Sequence, residues 1–234
     1  MTKPIKRILV RGCPRSGNTM LYVMLCSCFE NVAQVRGEKV PVDALVSNFK
    51  KVAVAKYPRP VTPKILGEHY EAAREFIDNP PEDALMIFIV RDPRDALMSK
   101  HGSFGSEPFL KSAAGWFGVM DEIQKVRDRD NVLVLRFEDI VADADKIQQQ
   151  IAEASGLTIA GSFSNFNEMV EKSDTMSLTD HNIGELNGLR PLDPTRVYAY
   201  KTEPAENVQP IVEKILSHDG ADAFVKSFGY DPLQ

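Results

Sequence analysis

Ile5-Lys6-Arg7-Ile8-Leu9-Val10-Arg11 runs directly into Gly12-Cys13-Pro14-Arg15-Ser16-Gly17-Asn18-Thr19, and this stretch decides the fold. Residues 5–11 read as a short buried strand, the next seven as a Gly/Pro/Ser loop, and residues 19–29 as an apolar helix. Strand, glycine-bracketed loop and helix is the context in which backbone N–H groups cradle a phosphate. The spacing fits G-x-x-x-x-G-K-[ST] at every position but one, because Asn18 stands where the lysine belongs. That lysine normally neutralises terminal phosphates, so its loss counts against ATP chemistry. Arg15 places a different cation inside the same loop.

Outward from this unit, strands and helices alternate. Residues 84–90 (Ala-Leu-Met-Ile-Phe-Ile-Val) are the clearest buried strand, followed by a helix over 93–101 with Pro93 near its start. A helix over 109–127, a strand over 131–137 and a helix over 144–155 ended by Gly156 come next. Residues 36–63, rich in Lys and Pro, read as loop with short helical pieces; 64–68 reads as a strand and 70–78 as a helix. Beyond residue 160 the pattern is helix and loop, with helices expected over 204–217 and 222–228. The expected fold is α/β. It is a single domain spanning 1–234, with a mainly parallel central sheet flanked by helices, P-loop-NTPase-like, and a mostly helical C-terminal part. Ligands bind beyond the carboxyl ends of such strands, so Arg15 and Arg91 should meet at one edge of the sheet.

At 234 residues the chain can bury a sizeable core, and 43% hydrophobic with 26% charged residues excludes a disordered or fibrous chain. A net charge of −5 argues against a general nucleic-acid binder. The average hides an asymmetry: residues 1–64 carry twelve Lys and Arg against Glu30, Glu38 and Asp43, while the rest carries 16 basic and 30 acidic residues. No apolar run is long enough for a membrane helix, and Ile8-Leu9-Val10 is too short for a signal-peptide core. Cys13, Cys26 and Cys28 have no metal-type spacing, so buried free thiols in a reducing cytoplasm are expected and no metal site.

Pro14-Arg15-Ser16-Gly17-Asn18-Thr19-Met20 resembles the 5′-phosphosulfate loop of sulfotransferases, which use 3′-phosphoadenosine 5′-phosphosulfate (PAPS) and release 3′-phosphoadenosine 5′-phosphate (PAP). Cytosolic relatives show Pro-Lys-Ser-Gly-Thr-Thr-Trp; here Arg15, Asn18 and Met20 replace the Lys, the first Thr and the Trp. Ile89-Val90-Arg91-Asp92-Pro93-Arg94-Asp95-Ala96-Leu97-Met98-Ser99 is similar to the family's 3′-phosphate segment. The resemblance assigns that phosphate to Arg91 and Ser99. Chemically the pair suits a phosphate monoester, since Arg offers a bidentate fork and Ser a hydroxyl. Leu133-Val-Leu-Arg-Phe137-Glu138-Asp139-Ile140 is similar to a strand ending Tyr-Glu-Asp-Leu, with Phe137 in place of the Tyr, and Glu138 and Asp139 are read as structural. Ser164-Asn-Phe166-Asn-Glu-Met169 resembles a segment whose Phe lines the adenine pocket, although Phe166 reads equally well as core. Between Arg190 and Lys201, where relatives place a basic loop over the 3′-phosphate, Arg196 is the choice and Arg190 the reserve.

The resemblance makes His69 the general base, at the end of Lys64-Ile-Leu-Gly67-Glu68-His69. Gly67 stands where relatives have a Lys, leaving Glu68 as a helper or substrate contact; His101 is the competing base. Arg15 would neutralise the leaving phosphate. It stays charged at every working pH, so it cannot donate a proton. The implied activity is PAPS-dependent sulfuryl transfer (EC 2.8.2 type) to a hydroxyl or amine of a small-molecule or carbohydrate acceptor. The partners expected are that acceptor, with no nucleic acid and no membrane, in a cytoplasmic enzyme. No dimer is inferred, since the family's C-terminal dimer motif is not found after Lys201. The alternative is a P-loop kinase or ATPase with a degenerate loop, in which Thr19 and Asp92 would hold Mg2+.

Overall fold

The computed structural model describes residues 5–13, 15–30, 32–34, 52–57, 78–79, 81–99, 113–172 and 191–233. Five parallel strands form one sheet: β1 (Arg7–Gly12), β2 (Val32–Gln34), β3 (Val52–Tyr57), β4 (Ala84–Val90) and β5 (Val132–Arg136), in the order β2-β3-β1-β4-β5. β1 lies at the centre, with Gly12 opposite Ile89 on β4, and Val90 on β4 opposite Arg136 on β5. The chain winds from β1 outward on one side to β2 and β3, then crosses to β4 on the other. The loops leaving β1 and β4 therefore diverge, which opens a crevice at their carboxyl ends.

β1 is buried but for Arg7, and β4 is apolar and buried throughout, because both faces of the sheet are covered. Alternation sends Ile8, Val10, Leu85, Ile87 and Ile89 to one core, with Leu21 and Leu25 of helix α1 (Asn18–Cys28). Leu9, Met86, Phe88 and Val90 go to the other, with Trp116 and Ile123 of a helix over Ala113–Val126 and Ile215 and Phe224 of the C-terminal helices. Arg11 continues the face of Leu9 and is fully buried, paired with Glu122 on the Ala113–Val126 helix. Cys13, Cys26 and Cys28 are free and buried, and burial pushes the Cys26 and Cys28 thiols up to about 12.

Several expectations are corrected. Residues 36–63 contain β3, a strand beside β1, whose Val52-Ala-Val-Ala-Lys-Tyr57 run was hidden by Lys50, Lys51 and Pro58. β2 was also missed, being only three residues long. The strand expected to reach 137 stops at Arg136, and Phe137 opens a short helix, Phe137–Ala142. The helix after β4, Pro93–Met98, ends before Ser99, whose φ of −60° and ψ of 120° are extended. The helix Ala144–Ser155 ends at Gly156 (φ 71°) as expected. The strand expected over 64–68 and all but the last residue of the helix expected over 70–78 lie outside the described residues. Among the described residues no helix is long and apolar enough to cross a membrane.

Candidate functional site

The loop between β1 and α1 is closed from inside. Asn18 donates its side-chain amide to the carbonyls of Gly12 (3.1 Å) and Cys13 (2.9 Å), and Ser16 N–H donates to Cys13 O at 3.1 Å. A side chain at Gly12 has no space: its Cβ would fall 2.7 Å from Ile89 O and collide with Asn18. Gly17 has φ 95°, and an added Cβ would sit 2.8 Å from the Phe137 ring. Arg15 adopts φ 70°, a left-handed conformation that costs a non-glycine residue on the order of 1 kcal/mol or more. Gly17 caps α1 without a side-chain hydrogen bond, so no capping side chain occupies the helix N-terminus, the end that attracts an anion. Met20 and Thr19 are partly buried, Met20 against the core; Ser16 is fully buried beside the Cys13 thiol.

Three arginines distant in sequence converge on this loop. Arg91, at the end of β4, donates Nη1 to Arg15 O (2.8 Å) and Nη2 to Arg196 O (2.7 Å), and its guanidinium lies 4.5 Å from the Phe137 ring centroid. Arg15 donates Nε to Ser99 Oγ at 3.0 Å, so Arg91 and Ser99 flank the same loop residue. Burial lowers the pKa of Arg15, and the like charges of Arg196 and Arg91 lower it further. Burial also lowers Arg91; Asp95 and Glu138 oppose this, and Arg196 adds to it. Arg91 Nε is buried without a hydrogen-bond partner. A cluster of like charges destabilised by burial and by one another is relieved by a bound anion.

The neighbouring carboxylates are already engaged. Asp92, fully buried, accepts from Arg94 N–H, Nε and Nη2 at 2.9, 2.9 and 2.7 Å and so caps the Pro93–Met98 helix. Glu138 accepts from Asp92 N–H (3.0 Å) and Tyr230 Oη (2.7 Å), the structural part read for it in the sequence. Neither is disposed to hold Mg2+, and among the described residues no group of three or more His, Cys, Asp or Glu could hold a metal ion. Arg196 ends a 3-10 turn, Pro194–Arg196, and is exposed. A second turn, Ala199–Thr202, follows it.

Of the two roles the sequence leaves open for Phe166, the structure matches the core one: it is fully buried in the cluster with Leu21, Leu25 and Phe163. His69, Glu68, His101 and Arg190 lie outside the described residues. His218 stacks on Phe117 with ring centroids 4.1 Å apart and takes no part in the arginine cluster. Asp95, which the sequence offers as a salt-bridge partner for Arg91, has its Oδ2 3.8 Å from Arg91 Nη2, while its Oδ1 accepts Tyr200 N–H at 2.9 Å. Its signal was the i, i+4 spacing from Arg91.

The fold recurs in solved structures. The chain is similar to the sulfotransferase domain from the curacin biosynthetic pathway (14% identity over 99% of this chain and 100% of that one, TM-score 0.62). It is also similar to the sulfotransferase domain of the Synechococcus PCC 7002 olefin synthase (16%, 98% and 96%, 0.59). A third likeness is to the mouse sulfotransferase SULT7A1 complexed with PAP (14%, 95% and 89%, 0.54). The fold is the sulfotransferase fold. A scan against protein-family models finds no match, and neither does a search of curated proteins. Within the sulfotransferase fold, the Arg15, Arg91, Ser99 and Arg196 cluster stands at the carboxyl edge of β1 and β4, where the α/β topology opens its crevice.

Proposed function

We propose that this chain is a sulfotransferase that moves a sulfuryl group from PAPS to a hydroxyl or amine of a small-molecule or carbohydrate acceptor. The observation that carries the reading is the convergence of Arg15, Arg91 and Arg196 with Ser99 on a phosphate loop that has no lysine. A donor with two separated phosphates matches that charge. The N–H groups of Gly17, Asn18, Thr19 and Met20, with Arg15, take the 5′-phosphosulfate, and Ser16, whose N–H is spent on Cys13 O, shapes the loop around it. Arg91, Ser99 and Arg196 take the 3′-phosphate.

In the transfer, the bond from sulfur to the 5′-phosphate oxygen breaks as a bond from sulfur to the acceptor oxygen or nitrogen forms. The acceptor's proton passes to His69, and the electron pair of the broken bond leaves on the phosphate of PAP. Arg15 stabilises that charge without giving up a proton. Positioning supplies most of the remaining acceleration, as in other in-line transfers. The likeness to a sulfotransferase solved with PAP supports this choice of donor. A kinase is disfavoured, because Asn18 spends its side chain closing the loop and Asp92 is bound to Arg94.

Calorimetric titration with PAP and with adenosine 5′-phosphate tests the assignment, alongside transfer from labelled PAPS to a panel of alcohols and amines. Arg91→Ala should weaken PAP roughly tenfold to a hundredfold while changing adenosine 5′-phosphate little, the loss of a charge-assisted pair. Equal losses for both ligands would show that Arg91 does not read the 3′-phosphate. His69→Ala should abolish transfer and leave PAP binding intact; undiminished turnover would remove His69 as the base.

A further inference from the structure

The exposed turn that carries Arg196 is held to the phosphate loop by a small number of contacts, and one carboxylate sits between them. Asp95 has a side chain only 1% exposed on the Pro93–Met98 helix. Its Oδ1 accepts Tyr200 N–H at 2.9 Å, across 105 residues of sequence, and the Tyr198 N–H also stabilises its charged form. Its Oδ2 faces Arg91 Nη2 at 3.8 Å, longer than a hydrogen bond. Arg91 meanwhile spans the phosphate loop and the turn through the carbonyls of Arg15 and Arg196. Tyr198, between these anchors, is held at φ 56°, a strained conformation that persists only where its surroundings impose it. The other nearby acids, Asp92 and Glu138, are bound to Arg94 and to Tyr230 and Asp92 N–H. Asp231 also holds this segment, but through the side chains of Lys201 and Tyr200 at the surface; Asp95 is the buried acid that accepts a backbone N–H of it.

Resting on the donor-site reading above, we propose that Asp95 is a positioning residue. By accepting the Tyr200 N–H it fixes the distance of the 194–202 segment from the phosphate loop, and so sets the preference for a nucleotide with a 3′-phosphate over one without. It touches neither phosphate. Its effect runs through Arg196 and Arg91, and it should leave ligands that need only the 12–20 loop unaffected.

The test combines amide hydrogen exchange at Tyr200 in the ligand-free protein with titrations of PAP and adenosine 5′-phosphate. Asp95→Ala should speed exchange at Tyr200 by about tenfold or more and cut the PAP preference by about tenfold, with adenosine 5′-phosphate affinity little changed. Asp95→Asn keeps an acceptor oxygen for Tyr200 N–H, so protection and preference should stay within about threefold of the parent protein. Asp95→Ser, too short to reach Tyr200, carries the same expectation as Asp95→Ala if the alanine variant does not fold. A folded Asp95→Ala protein with unchanged exchange and unchanged preference overturns the proposal, as does an Asp95→Asn protein that loses both as fully as alanine. Parent protein that does not discriminate between the nucleotides overturns the donor reading and the preference with it; exchange at Tyr200 then decides separately whether Asp95 holds the segment.

Discussion

Asn18 stands where a nucleoside-triphosphate loop has its lysine, and its side chain points the opposite way in function. A lysine there reaches outward to phosphate, whereas Asn18 turns inward and donates to Gly12 O and Cys13 O. It is 4% exposed, and Gly12 lacks a Cβ at the point where Asn18 passes. Asn18→Ala would leave two loop carbonyls without donors, a loss of about 1–3 kcal/mol. Asn18→Lys should cost at least as much, because a longer cationic chain cannot occupy the pocket beside Gly12. Urea unfolding midpoints measure both, and the lysine variant should gain no ATP hydrolysis. An Asn18→Lys protein as stable as the parent would mean that the amide is not the loop's closure. The same position shows why residue types alone undersold the site: the sequence displays a missing lysine, but not that its replacement has structural work to do.

At the level of elements, legibility followed the strength of the local signal. The apolar runs of β1, β4 and β5 and the glycine stop at Gly156 were readable because each depends on adjacent residues. β3 was not, since its flanking lysines and prolines resemble a loop until a neighbouring strand is available to pair with. The Phe137–Ala142 helix escaped because Phe137 extends the hydrophobic run of β5, and only the fold shows the chain turning to place that ring under Arg91. Phe166 shows the converse: a motif suggested a ligand, and packing made it core. One element junction has a clear acid dependence. Asp145, in the first turn of the Ala144–Ser155 helix, accepts from Ser162 Oγ (2.7 Å), Ser164 N–H (3.2 Å) and Ser164 Oγ (2.9 Å). Slight burial works against its charge, but these hydrogen bonds win and hold the carboxyl below the usual aspartate range. A depressed folded-state pKa contributes stability that is complete above the ordinary value near 4 and is lost as pH falls through the folded-state value. Asp145→Ala should therefore cost about 1 kcal/mol at pH 7 and progressively less as the pH falls below the ordinary aspartate value. Chemical denaturation across that range measures it; a penalty that does not shrink with acid would mean the carboxylate's charge is not what the serines read.

Across the whole molecule, the basic surplus of residues 1–64 distributes unevenly between structure and function. Arg11 is consumed inside the core by Glu122, and Arg7 pairs with Asp83. Arg15 alone of the described early basics reaches the cluster, where it meets Arg91 from the middle of the chain and Arg196 from its last quarter. Three like charges drawn from three parts of the sequence are a folding cost that a shared anion removes, so ligand binding should tie these parts together. At a PAP concentration a hundredfold above its dissociation constant the stabilisation is about 2.7 kcal/mol, which for a chain of this size raises the melting temperature by roughly 5–10 °C. Adenosine 5′-phosphate at the same concentration should give a smaller shift, because it engages the loop without the Arg196 turn. Arg196→Ala should bring the PAP shift part of the way down to that of the monophosphate, Arg91 and Ser99 keeping the remainder, and leave the monophosphate shift in place. The parent chain's own baseline should change little on that substitution, since Arg196 holds the turn through its carbonyl, which alanine keeps. Differential scanning calorimetry of both proteins with each nucleotide separates these outcomes. A PAP shift that survives Arg196→Ala in full would move the reading of the 3′-phosphate entirely onto Arg91 and Ser99.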